Sequence, residues 1–325
     1  MGHRRLRVLI GLLLGCALAV GVFATSDFHS VLAAARLVDS GLAWIVLWRF
    51  VVLALLALAW RRLFPSGDRP SFFGIFLARW VGESVNTLLP VAQVGGEIAR
   101  GRLVMRWPGG SGAALPLLAV IAAIIVDMTL NLTGQFALAL AGAWHVWRVA
   151  NRSVPELAVA CLAALLPLAL LALAQQPAVL ARVHRGFGRL AGKGHDPART
   201  ADLSRAVRAV YGRFADLAKA LILHLLGAFA RAAEVWIVLR LMGVPIGAMD
   251  AVMIEGLSGA LRTAAFLLPA GLGVQEGALL VLCGWIGVPP AAALALALIK
   301  RAREIVVGGA GLLLWLALER RMRRA

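Results

Sequence analysis

The chain has 325 residues, of which 61% are hydrophobic and only 15% are charged, and its formal net charge is +17. Soluble domains are about half apolar and about a quarter charged, so this composition excludes an ordinary soluble protein. Apolar runs of about 20 residues recur along the chain, which excludes nucleic-acid binding as the reason for the positive charge. We therefore predict an all-α polytopic membrane protein that forms a single integral membrane domain over residues 1–325.

Six apolar runs are long enough to be read as full transmembrane helices. They are residues 8–24, 42–60, 113–142, 155–174, 217–242 and 290–318. The first run follows basic residues and so also resembles a signal peptide, but the sequence after it does not look like a secreted domain, which favours an uncleaved helix. Two further apolar segments, 72–106 and 246–288, are interrupted by Gly, Pro and charged residues.

Lys and Arg in the loops between the predicted helices indicate how the protein is oriented in the membrane, because these residues accumulate on the cytoplasmic side. If the amino terminus is inside and each interrupted segment returns to the face it entered from, 21 basic residues are cytoplasmic and three lie outside. Both termini are then cytoplasmic. Segment 175–216 is predicted to be a partly helical cytoplasmic loop, which either lies on anionic headgroups or acts as a solvated topology anchor. If the interrupted segments are simple spans instead, the helix count changes.

The two interrupted segments share a local pattern, LLPVAQVGGE at 88–97 and LLPAGLGVQE at 267–276. Pro90 precedes Glu97 by seven residues, and Pro269 precedes Glu276 by the same spacing. Pro and glycine open the backbone, and an opened backbone is tolerated at membrane depth only against protein or a watery cavity. The glycines concerned are Gly95, Gly96, Gly271 and Gly273. In the assumed topology the two segments enter from opposite faces, which predicts re-entrant segments in an inverted-repeat arrangement. The alternative is two Pro-kinked helices packed on small residues.

Seven acidic residues fall within the predicted membrane segments. They are Glu83, Glu97, Asp127, Glu234, Glu255, Glu276 and Glu304. Burying all of them at full depth would cost roughly 20 kcal/mol, so we expect several to be shallow, protonated or paired. Helical spacing predicts ion pairs of Arg231 with Glu234, Lys300 with Glu304 and Glu255 with Arg262.

Further polar residues lie deep in apolar runs. Asp127, Asn131 and Gln135 recur every four residues, and Lys300, Arg301, Arg303 and Glu304 cluster in the last run. Together these residues predict a polar passage or substrate groove, whereas each one alone is explained nearly as well by an internal ion pair. His224 is expected to be a satisfied interior histidine rather than a proton relay. The tryptophans at 44, 48, 60, 144 and 147 are expected to anchor helix ends at the interface.

Metal, disulfide and nucleotide chemistry are not indicated. Cys16, Cys161 and Cys283 each lie in an apolar run and are predicted to be buried thiols, without the spacing of a metal site or a disulfide framework. The chain has no phosphate-binding loop of the GxxxxGK[ST] type, and no Ser/His/Asp or Cys/His arrangement. We therefore expect no cofactor, no metal and no enzymatic activity.

Four stretches carry a family resemblance. They are ESVNTLLPVAQVGGEIARGRLV (83–104), IIVDMTLNLTGQFALALAG (124–142), IEGLSGALRTAAFLLPAGLGVQEGALLVL (254–282) and LALIKRAREIVVG (296–308). They resemble the flippase-like family that includes the transmembrane part of lysyl-phosphatidylglycerol synthase, and within it the hopanoid-biosynthesis-associated membrane proteins. The resemblance implies a bacterial inner-membrane protein whose Pro-Gly-Glu elements form re-entrant hairpins lining a lipid path. Here these elements are Pro90, Gly95, Gly96, Glu97, Pro269, Gly271, Gly273, Gln275 and Glu276. The synthase's aminoacyl-transferring domain has no counterpart in the sequence, so we expect no lipid aminoacylation.

The favoured hypothesis is a lipid transporter or flippase that moves a hopanoid, a phospholipid or another amphiphile between leaflets or towards export. The predicted substrate path consists of Pro90, Gly95, Gly96, Glu97, Arg100, Asp127, Asn131, Glu234, Glu255, Arg262, Pro269, Gly271, Gly273, Gln275, Glu276, Lys300, Arg301, Arg303 and Glu304. Protonation of Glu97 or Glu276 is the expected energy source. Two alternatives stay open: an assembly factor that presents a lipid to biosynthetic or export proteins at segment 175–216, and an ion-coupled transporter of a small solute.

Overall fold

The computed structural model describes residues 28–38, 41–89, 95–106, 115–149, 165, 169, 197–264 and 273–324. Every regular element longer than one turn in these parts is an α-helix. The helices are α1 (Phe28–Arg36), α2 (Gly41–Arg62), α3 (Phe72–Leu88), α4 (Gly95–Arg106), α5 (Leu117–Val149), α6 (Pro197–Tyr211), α7 (Phe214–Leu241), α8 (Ala248–Ala264), α9 (Val274–Trp285) and α10 (Pro290–Arg324). The predicted span 8–24, most of 155–174, and the thiols of Cys16 and Cys161 lie outside the described residues.

Three of the described helices are long and apolar enough to cross a membrane, namely α2, α5 and α7. They confirm the predicted spans 42–60, 113–142 and 217–242, with ends shifted by a few residues. Helix α10 begins at Pro290, where a proline without an N–H suits the first turn, and continues for 35 residues. Four charged residues between 300 and 304 interrupt its apolar sequence. The chain is therefore a multi-pass, all-α membrane protein.

Each interrupted segment forms a pair of helices that pack on each other. The first pair is α3, with 17 residues, and α4, with 12 residues. The second pair, α8 and α9, has the same two lengths. The turns within the pairs, 90–94 and 265–272, lie outside the described residues together with Pro90, Pro269 and Gly271. Within the first pair the backbones touch, since a Cβ at Gly96 would overlap the carbonyl oxygen of Gly82.

The helix pairs belong to two structural repeats, α2–α5 and α7–α10. The equivalent helices α2 and α7 pack against each other and run antiparallel. Gly41 at the start of α2 lies beside Leu241 at the end of α7, and Leu56 lies beside Gly227. Equivalent helices that run in opposite directions are the relation expected of an inverted-topology repeat. The order and the antiparallel packing of the described helices are therefore consistent with the predicted inverted-repeat arrangement.

The two repeats interlock, because the long helix of each pair packs on the last helix of the other repeat. Helix α3 packs against α10, and helix α8 packs against α5. Both contacts use small residues that allow close approach, as in many membrane helix bundles. Gly308 of α10 lies against Leu88, and Gly256 of α8 lies against the backbone of Leu138. Side chains at the centre of the bundle are thus supplied by both repeats.

Part of the predicted basic loop 175–216 is helical, as expected. Helix α6 occupies 197–211 and packs on α5. Leu203 and Val210 are buried in this contact, whereas Arg205 points outward. The residues of this loop before 197 lie outside the described parts.

Candidate functional site

Charged side chains are buried at two places in the helix bundle. The first, which we call the Asp127 cluster, consists of Arg79, Glu97, Arg100, Asp127 and His224. The second, which we call the Glu304 network, consists of Arg231, Glu234, Glu255, Arg262, Gln275, Glu276, Lys300, Arg301, Arg303 and Glu304. The Asp127 cluster receives residues from both structural repeats, whereas all the residues of the Glu304 network lie on α7–α10.

The Asp127 cluster is built around one fully buried carboxylate. Arg100 Nη1 donates to Asp127 Oδ2 at 2.7 Å, and Arg79 donates to the same oxygen. His224 Nε2 lies 3.0 Å from Asp127 Oδ1, which ties α7 to α5. Arg100 also uses its Nε to bind Glu97 Oε2 at 2.5 Å. The cluster contains two arginines and two carboxylates, so its formal charges cancel when the histidine is neutral.

Arg100 is further held by an aromatic ring. Its guanidinium lies 4.4 Å from the centre of the Trp60 ring, a cation–π geometry. Trp60 is completely buried, so its predicted role as an interfacial anchor is wrong. Trp48 is half-buried and donates from Nε1 to the carbonyl oxygen of Ala230 at 2.7 Å, so it also holds α2 against α7. The other three tryptophans, at 44, 144 and 147, are exposed on the outer surface, as predicted for anchors.

The first hairpin is closed by a side-chain amide. The backbone N–H of Gly96 donates to Asn86 Oδ1 at 2.8 Å, and Asn86 Nδ2 lies 3.4 Å from Glu97 Oε1. Asn86 lies near the end of α3, so it holds the first turn of α4 against its partner helix. Gly96 is therefore needed for packing at the start of α4, next to the Asp127 cluster.

The second hairpin places its glutamate at the equivalent position. Glu97 is the third residue of α4, and Glu276 is the third residue of α9. Glu276 Oε2 accepts a hydrogen bond from the backbone N–H of Gly273 at 2.8 Å, which caps the helix. Gly273 has a φ of 79°, a left-handed conformation that favours glycine. The repeated Pro-to-Glu spacing thus corresponds to two equivalent helix starts.

Glu304 forms ion pairs with three arginines, which are Arg262, Arg301 and Arg303. Arg262 Nη1 donates to Glu304 Oε1 at 2.8 Å and to Gln275 Oε1 at 3.1 Å. Arg301 donates from Nη1 to Glu304 Oε2 and from Nε to Glu276 Oε1, both at 2.9 Å. Helices α8, α9 and α10 therefore meet through this one carboxylate and the two arginines around it.

A second part of the Glu304 network reaches α7 and α5. Lys300 Nζ donates to Glu255 Oε2 at 2.6 Å, and Arg231 Nε lies 3.6 Å from the other oxygen. Arg231 also donates to Gln135 Oε1 at 3.1 Å, and the Gln135 amide donates to the carbonyl oxygen of Gly256 at 3.0 Å. The polar stripe predicted on α5 therefore faces the bundle interior at Asp127 and Gln135, whereas Asn131 is half-buried.

The predicted ion pairs within single helices are wrong, because the charges find other partners in the bundle. Glu234 is bound by Arg303, whose Nη1 lies 2.6 Å and 2.5 Å from its two oxygens. Glu255 pairs with Lys300 and Arg231 rather than with Arg262. Glu304 pairs with Arg262 and Arg301 rather than with Lys300. Most of these ion pairs thus connect helices, whereas Arg301 with Glu304 and Arg100 with Glu97 are pairs within one helix.

A small cleft of about 20 Å³ opens beside the network between α2, α3 and α10. We call it the lateral cleft. Its lining is Arg49, Trp80, Glu83, Ser84, Thr87, Arg303, Glu304, Val307 and Gly308. Arg49 and Glu83 form an ion pair at its side and are partly exposed. Because Arg303 and Glu304 line the cleft while buried, the cleft gives the Glu304 network access to the surface of the bundle.

Most of the predicted path residues that the structure describes belong to one of the two buried sites. The exceptions are Asn131 and the glycines that shape the hairpins. Arg49 and Arg79 were not selected from the sequence. Gln135, His224 and Arg231 were recognised as polar residues within apolar runs but were not assigned to the predicted substrate path. A lone charge inside an apolar span is the signal that marks Arg49, since intramembrane ionisable residues are rare and functional.

Cys283 is buried and free, as predicted. Within the described ranges, the structure contains no group of three or more His, Cys, Asp or Glu side chains arranged to hold a metal ion.

The comparison with known proteins agrees with this architecture. No curated protein matches the chain. A family model described as the lysylphosphatidylglycerol synthase TM region matches residues 8–311, which include both hairpins and both buried sites. The match thus covers nearly the whole sequence, and the chain belongs to the family of the lysylphosphatidylglycerol synthase TM region.

Proposed function

We propose that the protein is a lipid transporter of the bacterial inner membrane, which moves a hopanoid or another amphiphilic lipid between leaflets or towards export. The polar part of the lipid moves past the Glu304 network while its apolar body stays in the bilayer. Both termini are cytoplasmic in this proposal, the chain carries no catalytic activity, and its partners are the lipid and proteins that make or export it.

The observation that carries the proposal is the buried Glu304 network with its opening at the lateral cleft. Replacing a buried ion pair by apolar residues is often neutral or stabilising, so an extended network of this kind is weak evidence for a role in stability. Ionisable residues inside a membrane protein mark paths for polar groups. A headgroup that leaves water can exchange hydrogen bonds with these side chains and so avoid bare hydrocarbon.

The inverted repeat supports the same proposal. Transporters built from inverted repeats place their substrate site at the interface of the repeats, where discontinuous helices present their ends. In this chain the helix starts at Gly95 and Val274 follow the hairpin turns, and each carries a glutamate in its first turn. The family relationship to the lysylphosphatidylglycerol synthase TM region is also consistent with lipid handling.

The proposal is tested by reconstituting the full chain into liposomes that contain either a labelled hopanoid or an acyl-labelled phospholipid. We expect protein-dependent movement of at least one of these lipids between leaflets, compared with protein-free liposomes. If no lipid moves while the protein drives uptake of a soluble solute, a solute transporter is the correct assignment. If neither moves and soluble biosynthetic enzymes bind segment 175–216, the protein is an assembly factor.

A further inference from the structure

We propose that Lys300 is a proton-exchange site that couples transport to a proton gradient. This inference rests on the proposed function and adds the source of its energy. Lys300 lies on α10 and is 7% exposed, and its Nζ donates a hydrogen bond to Glu255 Oε2 of α8 at 2.6 Å.

Lysine is rare among the basic residues of this chain. The sequence contains 33 Lys and Arg residues, and only Lys193, Lys219 and Lys300 are lysines. Lys219 is exposed near the start of α7, and Lys193 lies outside the described residues. Every other base in the Glu304 network is an arginine, which keeps its proton in proteins, whereas the amine of a buried lysine can lose it. Lys300 is therefore the base of this network that is able to exchange a proton.

The charges of the Glu304 network balance without the proton of Lys300. Its four arginines and four glutamates pair one to one through observed contacts: Arg231 with Glu255, Arg262 with Glu304, Arg301 with Glu276 and Arg303 with Glu234. A charged Lys300 is a fifth cation, and the hairpin turns 90–94 and 265–272 contain no Asp or Glu that could balance it. An uncompensated charge inside the bundle costs free energy. The loss of one proton from Lys300 makes the network neutral.

The hydrogen bond to Glu255 provides the path for this proton, because donor and acceptor are within the distance that proton transfer requires. The Nζ–H bond breaks, its electron pair stays on the nitrogen, and the proton binds Glu255 Oε2, which leaves a neutral amine and a neutral acid. Glu255 then releases the proton to water and is a carboxylate again. The neutral amine still has N–H groups that donate to this carboxylate, and Arg231 still pairs with it. The reverse sequence takes a proton up.

The lateral cleft brings water close to this pair. Glu304 follows Lys300 by one turn of α10, about 6 Å along the axis, and lines the cleft. The cleft is large enough for a water molecule, which can carry a proton. Ionisable residues inside membrane proteins commonly mark proton relays, and Lys300 and Glu255 are two such residues in direct contact.

The charged and titratable groups around Lys300 come from four helices. They are Arg231 and Glu234 of α7, Glu255 of α8, Cys283 of α9, and Arg303 and Glu304 of α10. The arginines favour the neutral amine, and the glutamates favour the charged one. Glu97 and Glu276, the protonation sites expected from the sequence, are held by Arg100 and Arg301. A proton added to either glutamate would increase the positive charge of its group instead of balancing it.

The charge of Lys300 can be read directly, because the chain has only three lysines. The full chain, labelled with ¹³C at the ε-carbon of lysine and studied by NMR in detergent, gives one signal per lysine, and Lys300→Arg and Lys219→Arg assign two of them. We expect the Lys300 signal to change reversibly from that of a charged to that of a neutral amine as the pH is raised through the neutral range, while Lys219 stays charged. A Lys300 signal that stays charged together with that of Lys219 overturns the proposal.

A structural ion pair and a proton-exchange site predict different behaviour for Lys300→Arg, because arginine keeps the charge but cannot release the proton. In proteoliposomes with a pH gradient of about one unit, one coupled proton can shift the steady-state ratio of an acyl-labelled lipid between the leaflets by up to about tenfold. We expect this shift for the wild type and for the control Lys219→Arg. We expect no shift for Lys300→Arg or for Lys300→Gln, which fixes the neutral state. Thermal unfolding of each variant checks that the fold is retained.

The proton-exchange site and the proposed function fail separately. A folded Lys300→Arg protein that responds to the gradient like the wild type overturns the proton-exchange site. Wild-type translocation that does not respond to the gradient overturns the coupling and leaves the proposed function in place. A Lys300 that changes its charge in a protein that moves no lipid supports the site and contradicts the proposed function.

Discussion

Lys300 Nζ lies 2.6 Å from Glu255 Oε2, and both side chains are at least nine-tenths buried. The pair connects α10 to α8 at the point where α10 changes from an apolar to a charged sequence. Arg231 approaches the second oxygen of Glu255 from α7, at 3.6 Å. Three helices therefore depend on the ionisation of one buried carboxylate, and removing Lys300 leaves that carboxylate with only the longer contact to Arg231.

Lys300→Met should destabilise the protein by about 3–5 kcal/mol, because the Glu255 carboxylate loses its nearest cation inside the bundle. The double variant Lys300→Met/Glu255→Gln should recover a large part of this loss, with a coupling of about 0.5–3 kcal/mol between the two sites. Denaturant unfolding of the purified protein in detergent measures both effects.

The matched control for this cycle is an exposed ion pair, Arg205 with Asp202 on α6. Arg205→Gln should change the stability by less than about 1 kcal/mol, since surface ion pairs contribute little. A single variant at Lys300 as stable as this control would show that the buried pair does not hold the helices together.

Gly96→Ala should destabilise the first hairpin by about 1–3 kcal/mol, because the added Cβ overlaps the Gly82 carbonyl oxygen and the Asn86 side chain. Gly277→Ala is the control, since Gly277 lies in the equivalent short helix and has no atom within 4 Å of an added Cβ. Thermal unfolding of both variants in detergent measures the difference. Equal melting temperatures for the two variants would mean that the α3–α4 contact has room for the added methyl group.

Glu97→Gln and Glu276→Gln should each slow lipid translocation by about tenfold or more, which corresponds to losing one charge-assisted hydrogen bond in the transported state. The expectation follows from their equivalent places in the first turns of α4 and α9 and from their contacts with Arg100 and Arg301. Proteoliposome assays with an acyl-labelled lipid provide the measurement. Full activity of both variants would exclude the hairpin glutamates from the path and from energy coupling.

The hairpins could be predicted from the sequence because their signals are local. Pro and Glu recur at one spacing in segments 88–97 and 267–276, with two Gly between them, and each glutamate lies in the first turn of a helix of 12 residues. The same segments gave the inverted repeat, since the positive-inside rule assigns them opposite entry faces. These predictions needed no knowledge of which helices touch.

The ion pairs could not be predicted in the same way, because they depend on packing between distant helices. Spacing along one helix assigns Glu234 to Arg231, but the bundle brings Arg303 against it from a position 69 residues away. Arg49 has no acid within one helical turn, and its partner Glu83 comes from α3. Arg79 has Glu83 four residues further along α3, but it donates to Asp127 of α5 instead. Trp60 resembles an interfacial anchor by its place near a span end, but Arg100 covers its ring.

Lipid translocation by a Glu304→Gln variant in proteoliposomes is the most direct test of the proposal that the Glu304 network is the path of the lipid headgroup. Glu304 accepts hydrogen bonds from Arg262 and Arg301 and lines the lateral cleft, so its carboxylate lies where the headgroup is proposed to pass. The control is Asp202→Asn, which changes one exposed acid on α6. We predict that the Glu304 variant loses at least about tenfold in rate while the control keeps wild-type activity. A folded Glu304→Gln protein that moves the lipid at the wild-type rate would contradict the proposal that the Glu304 network is the path.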